Sequence, residues 1–412
     1  MYSLLIHFYA FIIALISPFH KKARAMRWGQ WKTNDILRQK IDRNAKYVWF
    51  HASSLGEFEQ GRPLMERIKA EHPEYKILLT FFSPSGYEVR KNYNGADVIC
   101  YLPFDTPYRV NKFLDLANPS MAIFIKYEFW GNYLSELKKR HVPLFIISAI
   151  FRRDQLFFQW FGYPYRKMLY CFDHLFVQDE RSAELLRSFH INNVTVAGDT
   201  RFDRVLNVCK QAHELPFIQR FIGGEEAKRP FVFIAGSSWP QDEEILIPYF
   251  NKHPEMKLII APHEIHHEHL HYIESLLERP SVLLSQAMKD ESCVDKADCF
   301  IVDGFGLLSS IYRYGNVAYI GGGFGAGIHN TLEAAVYGIP VIFGPRYHKF
   351  QEAKDLIKVG GGFSISNEKE FTAKLDEFMT NSDILSTAGR NAGNFVQSKA
   401  GTTDTIYKAL PL

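Results

Sequence analysis

Cysteine is scarce and unpaired in this sequence: Cys100, Cys171, Cys209, Cys293 and Cys299 are odd in number, scattered, and never spaced Cys-x-x-Cys. That excludes a disulfide framework or a zinc cage as the organising device, and a reducing, cytoplasmic setting fits best. Net charge is nearly absent too. Lys+Arg 48 against Asp+Glu 45 leaves +3 over 412 residues, too little to coat nucleic acid through bulk charge, so any electrostatic function is local and no nucleic-acid partner is expected. The sequence has no short internal repeat and no low-complexity segment. Its longest apolar run, residues 4–19, is shorter than the roughly 20 residues a spanning helix needs. What is present, 47% hydrophobic and 15% aromatic residues, is enough for about two packed domains and excludes disorder.

The apolar run is interrupted by His7 and followed at once by Lys21, Lys22, Arg24, Arg27 and Lys32, interleaved with Trp28 and Trp31. Basic and aromatic residues mixed in this way suit an anionic lipid surface, so residues 1–32 are expected to be a membrane-associating helix with a basic flank facing the cytoplasm. The charge follows the run and no Ala-x-Ala-like site is evident, which argues against a cleaved signal peptide. The alternative is an ordinary buried first helix.

From Lys46 onward, short β-branched and aromatic runs alternate with helical periodicity, the pattern of parallel strands joined by crossover helices. Seven runs fill the first half, at 47–51, 77–81, 98–104, 122–127, 144–148, 174–177 and 194–197. The pattern lapses over 203–229, a hinge candidate containing Gly223 and Gly224, and restarts with runs at 231–235, 258–261, 282–284, 300–302, 317–320 and 341–343. The expected organisation is an α/β chain of two doubly wound domains, 33–210 and 211–385, facing a cleft where ligands meet the carboxyl ends of the strands. Residues 386–412 read as a C-terminal helix that returns to the first domain.

Candidate chemistry sits where strands end. His51-Ala52-Ser53-Ser54-Leu55-Gly56-Glu57 leaves a strand through small residues and enters a helix, offering backbone N–H groups and a carboxylate that can take a proton from a hydroxyl. Complementing the helix dipole is the alternative role for Glu57. Glu128, in Lys126-Tyr127-Glu128-Phe129-Trp130, needs a partner among its apolar neighbours, and Ser83-Pro84-Ser85-Gly86 is a turn with free hydroxyls. Gly321 to Asn330 form a Gly-rich turn between a strand and a helix expected to begin near Thr331, where amides and a helix dipole face a phosphate. No Gly-Lys-Ser/Thr follows, so it is not a P-loop, and Glu333 is placed to accept from the hydroxyls of a ribose. His263, His266, His267 and His269 cluster, with helical spacing between His263 and His267, but no His-Glu-x-x-His order, so a metal site is not expected.

The ordered motifs Ala52 to Glu57, Thr80 to Glu88, Tyr101-Leu102-Pro103-Phe104-Asp105, Glu128-Phe129-Trp130-Gly131-Asn132, Gly198 to Asp203, Ala235-Gly236-Ser237-Ser238, Ala261-Pro262-His263 and Gly321 to Glu333 resemble those of the bacterial 3-deoxy-D-manno-octulosonic acid (Kdo) transferases. These are inverting glycosyltransferases of the GT-B fold in lipopolysaccharide biosynthesis. The resemblance covers the chain from about Val48 to about Ala400. It implies transfer of Kdo from CMP-Kdo to a glucosamine hydroxyl of a lipid A precursor at the cytoplasmic face of the inner membrane, with no cofactor.

By the same resemblance, Glu57 is the general base, and Glu128 and Arg201 stabilise the transition state. CMP-Kdo is held by Pro262, His263, Gly306, Gly327, Ile328, His329 and Asn330, with Glu333 on the ribose, while Ser53, Ser54, Ser85 and Gly86 lie on the acceptor side. The chain departs from the family at Arg201, where Lys is common, at His263, where Arg is usual, and at Leu307 after Gly306, where an acid is common; its Gly-rich loop is also shorter. There is no Asp-x-Asp element of metal-dependent sugar transferases. Other readings of the same architecture are a UDP-N-acetylglucosamine transferase or epimerase, or a noncatalytic nucleotide-sugar-binding scaffold at the membrane.

Overall fold

The computed structural model describes residues 2–212, 214–223 and 229–412. Contacts divide the chain into two units: Met1–Arg204 with Gly401–Leu412, and Val205–Ala400. Each carries one seven-stranded, all-parallel sheet. Unit one contains β1 (Lys46–Ala52), β2 (Tyr75–Phe81), β3 (Val98–Tyr101), β4 (Met121–Ile125), β5 (Leu144–Ala149), β6 (His174–Val177) and β7 (Val194–Val196) in the order 3-2-1-4-5-6-7. Unit two contains β8 (Phe231–Ser238), β9 (Met256–Pro262), β10 (Ser281–Leu283), β11 (Cys299–Ile301), β12 (Val317–Ile320), β13 (Val341–Phe343) and β14 (Gly362–Ser364) in the order 10-11-9-8-12-13-14.

The central strands are apolar on both faces, as helices packed on both sides require. β1 is buried from Tyr47 to Ala52, with Trp49, Leu78 and Phe124 in the core on one face and Val48, Phe50, Leu79 and Ile123 on the other. In each sheet the strand order reverses once around a central pair, β1 and β4 in unit one, β8 and β12 in unit two. Diverging crossover helices leave a crevice at that point, outside the strands' carboxyl ends.

Several expected boundaries move. The run at 122–127 stops being strand at Ile125, because Lys126 turns into the left-handed region at φ 65°, and the run at 98–104 stops at Tyr101, shortly before Pro103. The strand Gly362–Ser364 was not anticipated. The boundary at 32/33 cuts a helix: residues 2–40 form α1 (Tyr2–Ile16) and α2 (Lys21–Lys40), bent by 118°. Leu37 and Thr33 of α2 are fully buried in unit one, and Thr33 Oγ1 donates to the Tyr101 carbonyl at 2.8 Å. Among the described residues no single helix is long and apolar enough to cross a membrane.

The division between units falls within the helix Thr200–Gln211 rather than after residue 210, and at Ala400/Gly401 rather than at 385/386. Gly401, at φ 98°, separates the helix Ser382–Ser398 of unit two from Thr402–Lys408, whose Ile406 joins the unit-one core. Asp203 fixes that return by accepting from the Gly401 N–H at 2.7 Å and the Thr403 N–H. Of the hinge candidate, Gly223 ends a helix at φ 62°, and Gly224 lies outside the described residues.

Candidate active site

In unit one the loops after β1 and β4 flank the switch point. Ser53 and Ser54 lead from β1 into the helix Leu55–Glu71, and Glu57 in its first turn folds back so that Oε2 accepts from the Ser53 N–H and from the Ser54 N–H at 3.1 Å. Glu57 therefore does complement its helix terminus. Its carboxyl is nevertheless pushed up to about 7, by burial first and the neighbouring Glu128 charge second, against those two N–H groups and Lys126. A carboxyl that half-ionises near neutrality is suited to proton transfer.

Glu128, only 7% exposed, has the partners its burial demands. Its Oε2 lies 2.9 Å from His51 Nε2 and accepts from Trp130 Nε1–H at 2.7 Å. His51 is fully buried at the end of β1, and its Nδ1 faces Thr80 Oγ1 at 2.9 Å, which also accepts from Trp49 Nε1–H at 2.8 Å. The partners that Glu128 needs are thus His51 and Trp130. Sequence reasoning gives His51, Thr80 and Trp130 no role; the signal for them is that His51 and Thr80 close adjoining strands and Trp130 shares the Glu128 motif.

The serine turn lies beside this network. Ser83 N–H donates to the Ser53 carbonyl at 2.8 Å, Ser83 and Ser85 hydroxyls are 2.9 Å apart, and a side chain at Gly86 would strike Phe81 and the Ser54 backbone. Ser53, Ser54, Ser85 and Gly86 are therefore neighbours of Glu57. Arg201 is held by Asp199: Arg201 Nε donates to Oδ2 at 2.8 Å and its N–H to Oδ1 at 2.9 Å. Burial would raise the Asp199 carboxyl, but Arg201 prevails and holds it below its usual range.

In unit two the loops after β8 and β12 flank the switch point, with that after β9 alongside. Gly321 and Gly323 are glycines because a Cβ at either would overlap the backbone of Ser237 or of Gly344. Asp242 pins the turn by accepting from the Gly322 N–H at 2.9 Å. The helix beyond is a single turn, Leu332–Ala335, so the summed helix dipole anticipated for this loop is not available and individual N–H groups must take its place. Asn330 caps that turn, accepting from Leu332 N–H at 3.1 Å and donating from Nδ2 to Glu333 Oε1 at 3.0 Å. Ile328 is buried, Gly327 has φ 136°, and Gly306, at φ 93°, lies in the exposed turn after β11 beside Phe305.

Three rings form a stack at this crevice. Trp239 and His263 centroids are 4.8 Å apart, His263 and His329 4.3 Å, all near parallel. Trp239 Nε1–H donates to His329 Nε2 at 3.2 Å, which leaves the His329 proton on Nδ1; burial and the neighbouring His263 lower its pKa to about 4, so the ring is neutral at pH 7. Trp239 was not anticipated, although it directly follows Ser237-Ser238. Pro262 is buried at the end of β9, whereas His263 is exposed and precedes the helix His267–Leu276. His263 and His267 therefore do not share a helix face as their spacing suggested. Among the described residues, no group of three or more His, Cys, Asp or Glu side chains is arranged to hold a metal ion.

Two parallel-sheet Rossmann-like units, each gathering polar groups at its switch point, define an α/β architecture of the GT-B class. The fold is shared with UDP-N-acetylglucosamine 2-epimerase from Neisseria meningitidis bound to UDP-GlcNAc (TM-score 0.59, 14% identity, 88% of this chain and 98% of that one). It is shared likewise with MurG from Acinetobacter baumannii (TM-score 0.52, 12% identity, 88% and 99%). At these identities the likeness is one of fold alone. The family model of 3-deoxy-D-manno-octulosonic-acid transferase (kdotransferase) matches residues 25–204. The 3-deoxy-D-manno-octulosonic acid transferase of Aquifex aeolicus is 30% identical over 341 residues, 81% of this chain and 86% of that protein. The chain belongs to the Kdo transferase family, and is a glycosyltransferase.

Proposed function

We propose that the protein transfers Kdo from CMP-Kdo to a glucosamine hydroxyl of a lipid A precursor, with inversion and without a metal. The observation that carries this reading is Glu57, whose proton affinity is raised to near neutrality at the β1/β4 switch point. Glu57 removes the hydroxyl proton as the oxygen attacks the anomeric carbon from the face opposite CMP; the C–O bond forms while the bond to the CMP phosphate breaks. Glu128 and Arg201 stabilise charge in the transition state. In unit two, Pro262, His263, Gly306, Gly327, Ile328, His329 and Asn330 hold the donor, with Glu333 on the ribose. The stacked rings supply flat faces, and His329 a neutral N–H donor. A single phosphate leaves, so amide and imidazole donors stabilise it in place of a cation.

The same reading takes residues 2–40 as the attachment to the cytoplasmic face of the inner membrane. Support comes from the outward apolar residues of α1, with Leu4, Phe8, Phe11 and Leu15 between 58% and 73% exposed, and from Phe19 at 92%.

The test is mass and NMR analysis of lipid A precursor incubated with purified protein and freshly generated CMP-Kdo, with and without chelator. A Kdo adduct of inverted configuration, formed equally with chelator, is expected. No adduct, or turnover of a UDP-sugar instead, refutes the reading.

A further inference from the structure

α1, α2 and the helix Pro107–Ala117 enclose a cavity of about 540 Å³ in unit one, and none of its lining residues is assigned to the transfer above. Its lining includes the cations Arg27, Arg109 and Lys112 and the aromatics Trp28, Trp31 and Tyr108, and contains no carboxylate. Arg109 lies over the Phe104 ring at 5.5 Å and Lys112 over Tyr108 at 5.8 Å, which leaves both charges without an anionic partner among the described residues. Gln30, another lining residue, is only 6% exposed; its Oε1 accepts from the Phe104 N–H at 3.2 Å, but its Nε2 has no hydrogen-bond partner. A buried donor left open is costly unless something fills it. Every feature asks for an anion bearing oxygen acceptors, and the rim names its source. Trp28 and Trp31 are 55% and 75% exposed, and the apolar outer face of α1 adjoins them across Ala10 and Ala14. Indoles and cations beside an exposed apolar helix match the depth profile of a lipid headgroup.

We propose that this cavity is a binding site for the phosphate of an anionic phospholipid. It takes the headgroup on Arg109 and Lys112 while the tryptophans lie at the level of the ester groups. This rests on the membrane attachment inferred above and adds to it a defined pocket and a lipid class.

The test is co-sedimentation of the full chain with phosphatidylcholine vesicles with and without phosphatidylglycerol. Four proteins are compared: wild type, Arg109→Ser/Lys112→Ser, the charge-matched control Lys138→Ser/Lys139→Ser, and the apolar-face variant Phe8→Ser/Phe11→Ser, each checked by thermal melting. Wild type and the control should favour the anionic vesicles. The cavity variant should lose that preference by roughly twenty-fivefold, a factor of five for each cation, with binding to neutral vesicles and transfer to detergent-dispersed acceptor unchanged. The apolar-face variant should bind both kinds of vesicle more weakly. If the cavity variant keeps the wild-type preference, or the control loses as much, the pocket is refuted while the attachment stands. Equal loss of transfer in detergent would assign the cavity to the acceptor and also refute it. Should wild type ignore both vesicles, pocket and attachment fall together.

Discussion

The two units solve different problems on two seven-stranded parallel sheets. In unit one the groups at the switch point are ionisable and close together: Glu57, Glu128 and His51, supported by Thr80 and Trp130. In unit two they are glycine backbone and flat rings: Gly321, Gly323, Trp239, His263 and the uncharged His329. A proton acceptor must be raised from its resting pKa, which takes burial and a like charge. A nucleotide must be approached closely, which takes absent side chains and planar surfaces. If this contrast is functional, changes in unit one should act on rate and its pH dependence, and changes in unit two on donor affinity.

The largest effect should follow from Glu57→Gln, a fall in kcat of about two to four orders of magnitude with CMP affinity and melting temperature unchanged. Retained turnover would remove Glu57 from its role, and lost CMP binding in calorimetry would break the contrast between units. Next in size is Arg201→Ala. It strands the buried Asp199, with an expected cost of about 3 kcal/mol in stability by denaturant titration. Because Asp199 is held below its usual range, the stability it contributes is present at neutral pH and fades as pH falls through its folded-state value. Adding Asp199→Asn should restore stability; if it also restores kcat, Arg201 acts only structurally.

Glu128→Gln should move the acidic limb of the rate profile. The limb is expected near pH 7, where Glu57 ionises. Removing the second charge favours ionised Glu57, so the limb should shift to lower pH by about one unit, even as Glu128's own contribution is lost. An unmoved limb would mean that burial alone sets the Glu57 proton affinity.

The architecture was legible because central parallel strands are apolar on both faces and leave continuous runs; only Gly362–Ser364 escaped, a three-residue edge strand opening on glycine. Strand ends were less legible because they depend on backbone geometry, as at Lys126, where a left-handed residue breaks the run. Glu57 and Glu128 could be named from motif order, but not the reason they work: the His51 contact to Glu128 links residues 77 positions apart, and only the β1/β4 pairing brings them together. The His263–His267 spacing misled because periodicity is silent on where a helix begins, here at His267.

The smallest expected effect, and the sharpest probe of unit two, is His263→Ala. His263 is exposed and its ring stacks on both Trp239 and His329, which bond directly to each other, so its loss removes both ring contacts and leaves the Trp239–His329 hydrogen bond in place. A ring contact of this kind is worth about 0.5–1.5 kcal/mol, so KM for the donor should rise roughly two- to tenfold, with kcat and the acidic limb near pH 7 unchanged. His263→Phe keeps a flat ring without a titrating nitrogen. If it restores donor affinity, stacking is what His263 supplies; if donor affinity stays weak and wild-type KM worsens as pH rises, His263 acts as a cation toward the donor, and charge as well as shape belongs to unit two.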